Sequence, residues 1–178
     1  MSCANESKKS DNHEHPETNA EATTSAKSLS PHTSTMVMIN EAHIHIDYSA
    51  PSVRDRVIFG GLVGYNTVWQ AGAHKATWIE TDKDLVIEGK KLKAGKYGFF
   101  VIPGQDKWEV MFNSRWDQHG KDEYNETENM LSLQVSPEEL DETQELLTYE
   151  INELGDKEGE IVLTWEKVKI KVPFEVVN

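Results

Sequence analysis

The sequence predicts an all-β fold: an antiparallel β-sandwich or flattened barrel with at most one or two short helical turns. Three observations carry this expectation. Apolar and polar residues alternate with a period of two in most segments after Met36, glycine and proline punctuate the intervals between them, and almost no stretch places apolar residues at helical spacing. No internal repeat is visible.

The first strand shows the pattern most clearly. From Glu41 to Tyr48, Ala42, Ile44, Ile46 and Tyr48 share one side, while Glu41, His43, His45 and Asp47 share the other, as in a half-buried strand. Pro51 ends it, and Arg54 to Phe59 reads as the start of another extended piece. Gly60, Gly61, Gly64 and Gly72 mark a loop-rich passage around Trp69. Lys75 to Thr81 and Asp84 to Glu88 read as strands, with a turn at Gly89-Lys90.

The run from Lys91 to Pro103 becomes apolar on both faces, which marks an inner strand. Pro103-Gly104 is a turn signal, and Trp108 to Asn113 is the expected hairpin partner. Beyond the polar stretch from Ser114 to Asn129 come four more period-two segments: Met130 to Val135, Glu145 to Asn152, Glu160 to Glu166 and Val168 to Val176. Ser136-Pro137-Glu138-Glu139-Leu140 reads as one short helical turn, with Ser136 as cap and Pro137 at the first helical position.

Residues 1–35 read differently. Asn5 to Thr35 is rich in Ser, Thr, Asn, Glu, Lys and His, and it has too little apolar surface to offset the entropy of ordering it. The expected organisation is therefore a polar tether over residues 1–35 and a single β domain over residues 36–178. The one cysteine, Cys3, makes no internal disulfide. The Ser2-Cys3 junction resembles the end of a bacterial lipoprotein signal, in which a small residue precedes the cysteine that takes the lipid. The expectation is a chain trimmed to its mature form, with Met1 supplied for expression, lipidated at Cys3 in its native host and held in the cell envelope. The alternative is that Met1 is the natural start and Cys3 an ordinary thiol.

The chain has 178 residues, enough for one domain with a substantial core. Its formal net charge is -13. Such a surface repels phosphate backbones and anionic head groups, which argues against nucleic acid as a partner and against electrostatic docking to a membrane. No apolar run is long enough for a membrane-spanning helix.

The ordered blocks Asp47-Tyr-Ser-Ala-Pro-Ser-Val-Arg-Asp-Arg56, Val68-Trp-Gln-Ala-Gly-Ala-His-Lys-Ala-Thr77, Lys93-Ala-Gly-Lys-Tyr-Gly-Phe-Phe-Val-Ile-Pro-Gly104 and Trp108-Glu-Val-Met-Phe-Asn113 resemble the bacterial family known as domain of unknown function 2911 (DUF2911), common among exported proteins of Bacteroidetes. The resemblance implies a fold and an exported location, and it implies no activity. The family pattern near Trp69 reads closer to Trp-Arg-x-Gly-Ala-Asn-Glu-Ala-Thr. This chain keeps Trp69, Gly72, Ala73, Ala76 and Thr77, and departs at Gln70, His74 and Lys75. Those departures argue against His74 as an essential base.

Four constellations are candidates for chemistry. His43 and His45 share a strand face beside Glu41 and Asp47. With a third ligand from His74 or His119 they would suit zinc or copper, whereas an ordinary solvated face explains the same residues. Of the 18 lysines and arginines only Arg54, Arg56 and Arg115 are arginine, and that planar fork suits carboxylate, phosphate or sugar hydroxyls. A structural ion pair with one of the 31 acids is the competing role. Trp69 with His74 forms the third group. Asn113, Arg115, Trp116 and Tyr124, in the loop that resembles the family's Asn…Trp-Gly…Tyr segment, would make a stacking and hydrogen-bonding surface for sugars or small polar ligands, or would pin the loop to the sandwich.

The sequence contains no nucleophile elbow, phosphate-binding loop, dinucleotide fingerprint or calcium loop. The leading expectation is a non-catalytic module that binds a small polar ligand or glycan, or assists the envelope, with no cofactor. Its ligand face would include Arg54, Arg56, Trp69, His74, Asn113, Arg115, Trp116 and Tyr124. The alternative is a hydrolytic or metal-dependent enzyme built on the histidines.

Overall fold

A computed structural model describes residues 28–177. The strands are β1 (His32–Ile39), β2 (Ala42–Ser49), β3 (Trp78–Thr81), β4 (Asp84–Ile87), β5 (Lys90–Leu92), β6 (Gly95–Ile102), β7 (Trp108–Asn113), β8 (Asn129–Val135), β9 (Glu138–Glu153) and β10 (Glu158–Val177). They form two antiparallel sheets, ordered β1-β2-β3-β6-β7-β8 and β5-β4-β10-β9. No barrel closes, and the fold is a sandwich. Among the described residues the one helical element is a 3-10 turn over Glu126–Glu128. The expected lipid-bearing Cys3 lies outside the described residues.

Alternation places the core. Ile44 and Ile46 of β2, Ile79 of β3, Phe99 and Val101 of β6, and Val110 and Phe112 of β7 meet Leu85, Ile87, Ile161, Leu163, Ile170 and Val172 of the second sheet in one buried cluster. Each such side chain contributes roughly 1.5–3 kcal/mol by leaving water. Phe59 sits edge-on to Trp108 at 4.7 Å, and Trp69 stacks on Trp165 with ring centroids 5.7 Å apart. A loop residue and the last strand thereby join the same aromatic centre.

The hairpin from β1 to β2 turns on Asn40 and Glu41, both with positive φ (47° and 61°). That is the geometry of the two-residue turns whose twist matches the strands they join. Pairing then runs from Ile39↔Ala42 out to His32↔Ser49. Ordered pairing thus starts ahead of Met36, because a polar edge strand needs only one face and one neighbour.

Three further expectations are corrected. Arg54 to Phe59 is not extended: Arg54 and Asp55 take left-handed φ values of 48° and 55°, so the segment turns, and Arg54 and Arg56 do not share a strand face. Ser136 to Leu140 is not helical. Glu138 and Glu139 pair with Lys169 and Val168, and Glu138 lies 3.0 Å from Lys171, so a tertiary partner overrides the local cap signal. The two final segments are one strand. Its buried positions run Ile161, Leu163, Trp165 and then Ile170, Val172, Phe174, and the phase changes at a bulge where Glu166 has φ 55°. The extra residue keeps both apolar halves on the core side.

The acidity is concentrated. Strand β9 lies at the edge of its sheet and carries Glu138, Glu139, Asp141, Glu142, Glu145, Glu150 and Glu153 with no Lys or Arg. Its middle is covered by Val53 N–H donating to the Glu145 carbonyl and Leu147 N–H donating to the Pro51 carbonyl.

Candidate functional site

Two loops and the middle of β10, at Trp165, line an open cleft of about 380 Å³. Its basic side chains are Arg54, Arg56 and Lys121, with His74 beside them and Trp69 and Trp165 in its floor. The volume is within the range of small-molecule sites.

Backbone strain and hydrogen bonds position each member. The left-handed turn at Arg54 and Asp55 is held by Glu145, whose carboxylate accepts the Arg54 N–H at 3.0 Å and leaves the guanidinium exposed. Arg56 is tied back: Nε donates to the Val53 carbonyl at 3.0 Å and Nη2 to the Ser52 carbonyl at 2.6 Å. Its charge faces the cleft while its fork braces the turn. Lys121 Nζ donates to the Val68 carbonyl at 2.7 Å, and Gly120 N–H to the His74 carbonyl at 2.7 Å, which docks the 114–125 loop against the 68–77 loop.

The Trp69 loop is fastened from beneath. Trp69 exchanges backbone hydrogen bonds with Val101 of β6, and its indole N–H donates to the Gly72 carbonyl at 3.1 Å. Gly72 has no room for a side chain, since a Cβ there would stand 2.6 Å from Thr77 Oγ1. That close approach accounts for the small residues around Trp69. The Thr77 hydroxyl in turn donates to the Ala71 carbonyl at 3.0 Å.

Two electrical features stand out. Among the described residues no Asp or Glu side chain lines the cleft, although the chain has 31 such residues. The Trp165 indole N–H, buried at its floor, has no hydrogen-bond partner among the described residues. A buried donor in that state is unfavourable by about 1–3 kcal/mol until an acceptor meets it. Cations without acids and a donor without an acceptor together favour an anionic, oxygen-rich guest.

A family model described as "Protein of unknown function (DUF2911)" matches residues 30–174. The chain belongs to the DUF2911 family. No curated protein and no solved structure matches it.

Of the eight residues expected on one ligand face, this DUF2911 domain gathers Arg54, Arg56, Trp69 and His74 in the cleft. The others serve the 113–129 loop. Asn113 is fully buried, donates to the Asn125 carbonyl and Asn129 Oδ1, and accepts the Arg115 N–H at 2.9 Å. Arg115 pairs with Glu128 and Glu123, and the bond to Glu128 holds its guanidinium more firmly protonated than usual. Tyr124 accepts from Asn129 at 2.9 Å, donates to Met111 Sδ, and packs at a tilt against Phe100, and burial raises its pKa. Trp116 packs on the outer face of the six-stranded sheet, 6.2 Å from Trp78, with Lys96 Nζ 3.3 Å from the Trp78 ring centroid and 4.2 Å from that of Trp116.

The histidine constellation is also redrawn. Among the described residues no group of three or more His, Cys, Asp or Glu is placed to hold an ion. His74 and His119 stand at the docking of the two loops, where Lys75 bridges to His119, so neither completes a set with His43 and His45. Sequence reasoning missed Trp165 and Lys121. Lys121 follows Gly120, whose φ of 58° turns the loop toward the cleft. Trp165 was visible only as one more apolar residue of a strand.

Proposed function

We propose that this DUF2911 domain is a binding module for a small anionic, oxygen-rich ligand, such as a carboxylated sugar, held in the cleft between Arg54, Lys121 and the Trp69–Trp165 floor. The observation that carries the reading is the acid-free lining in a chain of net charge -13. Long-range repulsion from the acidic surface would exclude anions in general, and a local set of donors selects the one that fits. Arg54 is the free fork, suited to two oxygens at once. Trp69 and Trp165 offer an apolar floor, and the Trp165 N–H offers one directed hydrogen bond. The Ser2-Cys3 junction and the polar stretch behind it support placing the module in the cell envelope on a lipid anchor.

The test is calorimetric titration of the full chain with glucuronate and galacturonate oligosaccharides, inorganic phosphate and neutral oligosaccharides. Saturable binding of an anionic probe, weakened about tenfold or more by Arg54→Ala, fits the loss of one charge-assisted contact. Equal binding of neutral and acidic sugars, or affinity unchanged in Arg54→Ala, would overturn it.

A further inference from the structure

The outer face of the six-stranded sheet carries a second, chemically different constellation. Strand β1 contains Met36-Val37-Met38 and strand β2 contains His43-Ile44-His45. The hairpin register sets Met36 directly opposite His45 and Met38 directly opposite His43. Directly opposed residues of an antiparallel pair project to the same side, with Cβ atoms about 4.5–5.5 Å apart. Two thioethers and two imidazoles therefore form a two-by-two array, set by the β1–β2 register that begins at the Asn40–Glu41 turn.

Core packing accounts for neither the two methionines nor the His45 ring nitrogen. Met36 and Met38 are 61% and 57% exposed, on the side away from the core. The His45 Nε2 atom is buried and has no hydrogen-bond partner among the described residues. The His43 and His45 ring centroids are 6.0 Å apart. A nitrogen–metal bond of about 2.0 Å puts an ion roughly 3 Å from each ring centroid, so two rings on one ion stand roughly 5–6 Å apart. On the β3 side of the array, the His45 and Trp78 rings meet in a T-shaped contact at a centroid distance of 5.0 Å, giving the site an aromatic wall.

We infer that Met36, Met38, His43 and His45 form a surface site for a soft monovalent metal ion, Cu(I) or its surrogate Ag(I). The donor set selects the ion. Thioether sulfur is a soft, neutral ligand that favours Cu(I), whereas zinc and Cu(II) prefer nitrogen, thiolate and carboxylate donors. The described residues offer no group of three or more His, Cys, Asp or Glu for those harder ions. Four neutral ligands leave the charge of the ion uncompensated, and the surrounding acidic chain supplies that compensation at longer range. A metal bond to His45 would also satisfy its orphan nitrogen.

The test uses the full chain under anaerobic conditions, titrated with Cu(I) against a chromophoric chelator, with Ag(I) for nuclear magnetic resonance. Cys3 and the histidines before residue 28 are competing ligands, so a Cys3→Ser variant is titrated in parallel. The expected result is one Cu(I) bound per chain in both, with affinity falling about tenfold or more in Met36→Leu/Met38→Leu and in His43→Gln/His45→Gln. Ag(I) should shift the Met36 and Met38 methyl resonances and leave the buried Met111 unmoved. Thermal melts check that the exposed substitutions leave the fold intact. Affinity unchanged in the methionine variant, or Cu(I) binding lost in Cys3→Ser, would overturn the site. Zinc held as tightly as Cu(I) and indifferent to the methionine substitutions would overturn the choice of ion.

Discussion

Tyr149 reaches from the second sheet to the loop of the first, donating its phenolic O–H to the Ala71 carbonyl at 2.8 Å. Ala71 has a left-handed φ of 51° and lies between Trp69 and Gly72, so this bond fastens the cleft's floor to β9. The same carbonyl accepts the Thr77 hydroxyl, and neither bond is open to water. The cleft is thus braced from the interior rather than from its rim.

Tyr149→Phe should destabilise the fold by about 1 kcal/mol at neutral pH, because Thr77 still satisfies the carbonyl. Burial raises the Tyr149 pKa well above 10.0. The phenol's contribution is therefore complete below pH 10.0 and is lost as pH rises from there toward the folded value, because the unfolded chain ionises first. Above that point the wild type should lose about 1.4 kcal/mol per pH unit relative to Tyr149→Phe. Chemical denaturation of both proteins from neutral to alkaline pH measures the crossing.

Arg56→Lys and Arg54→Lys should differ sharply. Arg56 uses two nitrogens on two carbonyls, and a lysine ammonium cannot reproduce that planar fork. A loss of about 1–2 kcal/mol is expected for Arg56→Lys. The exposed Arg54 side chain should tolerate the change within about 0.5 kcal/mol. Thermal melts of the pair decide this, and equal losses would contradict the bracing role of Arg56.

Gly98→Ala tests how the 114–125 loop crosses the sheet. A Cβ there would stand 2.6 Å from Phe100 Cε2, 3.1 Å from the Arg115 carbonyl and 3.3 Å from Trp116 Cα. Overpacking of this kind typically destabilises by about 1–3 kcal/mol. Because Trp116 would move away from Lys96 and Trp78, near-ultraviolet circular dichroism should change along with the melting temperature. A stability loss with an unchanged spectrum would place the strain at Phe100 instead.

Asp84 is the acid-sensitive clasp of the second sheet. The Ala94 N–H donates to it at 2.9 Å and Lys93 Nζ donates at 2.9 Å, and both bonds pull its pKa below 3.8. A depressed carboxylate stabilises the fold above its unfolded pKa and ceases to do so as pH falls through the folded value. The advantage of wild type over Asp84→Asn should therefore be constant near neutrality and vanish in acid below pH 3.8. Urea midpoints for both proteins across that range give the answer.

Much of this fold was legible because alternation is a local signal. Ala42, Ile44, Ile46 and Tyr48 declared their face in eight consecutive residues, and β2 buries that face. Glu138 to Leu140 misled because its capping signal was local while its partner, Lys169, lies far along the chain. The phase change at Glu166 read as a break because a bulge and a turn look alike in one dimension. The site divided in the same way. The scarcity of arginine pointed to Arg54 and Arg56, but the absence of acids around them emerges only when distant segments meet. The opposition of Met36 to His45 needed the register of a strand whose polar first half had read as tether.

The distribution of carboxylates along β9 bears on how the protein survives at high concentration. An edge strand of 16 residues offers a row of unpaired amides and carbonyls to any neighbouring copy. Two such edges brought together would oppose seven acids with seven more, and neither strand has a Lys or Arg of its own to place between them. Self-templating into fibrils is thus opposed by charge repulsion wherever the 51–53 segment does not already occupy the edge.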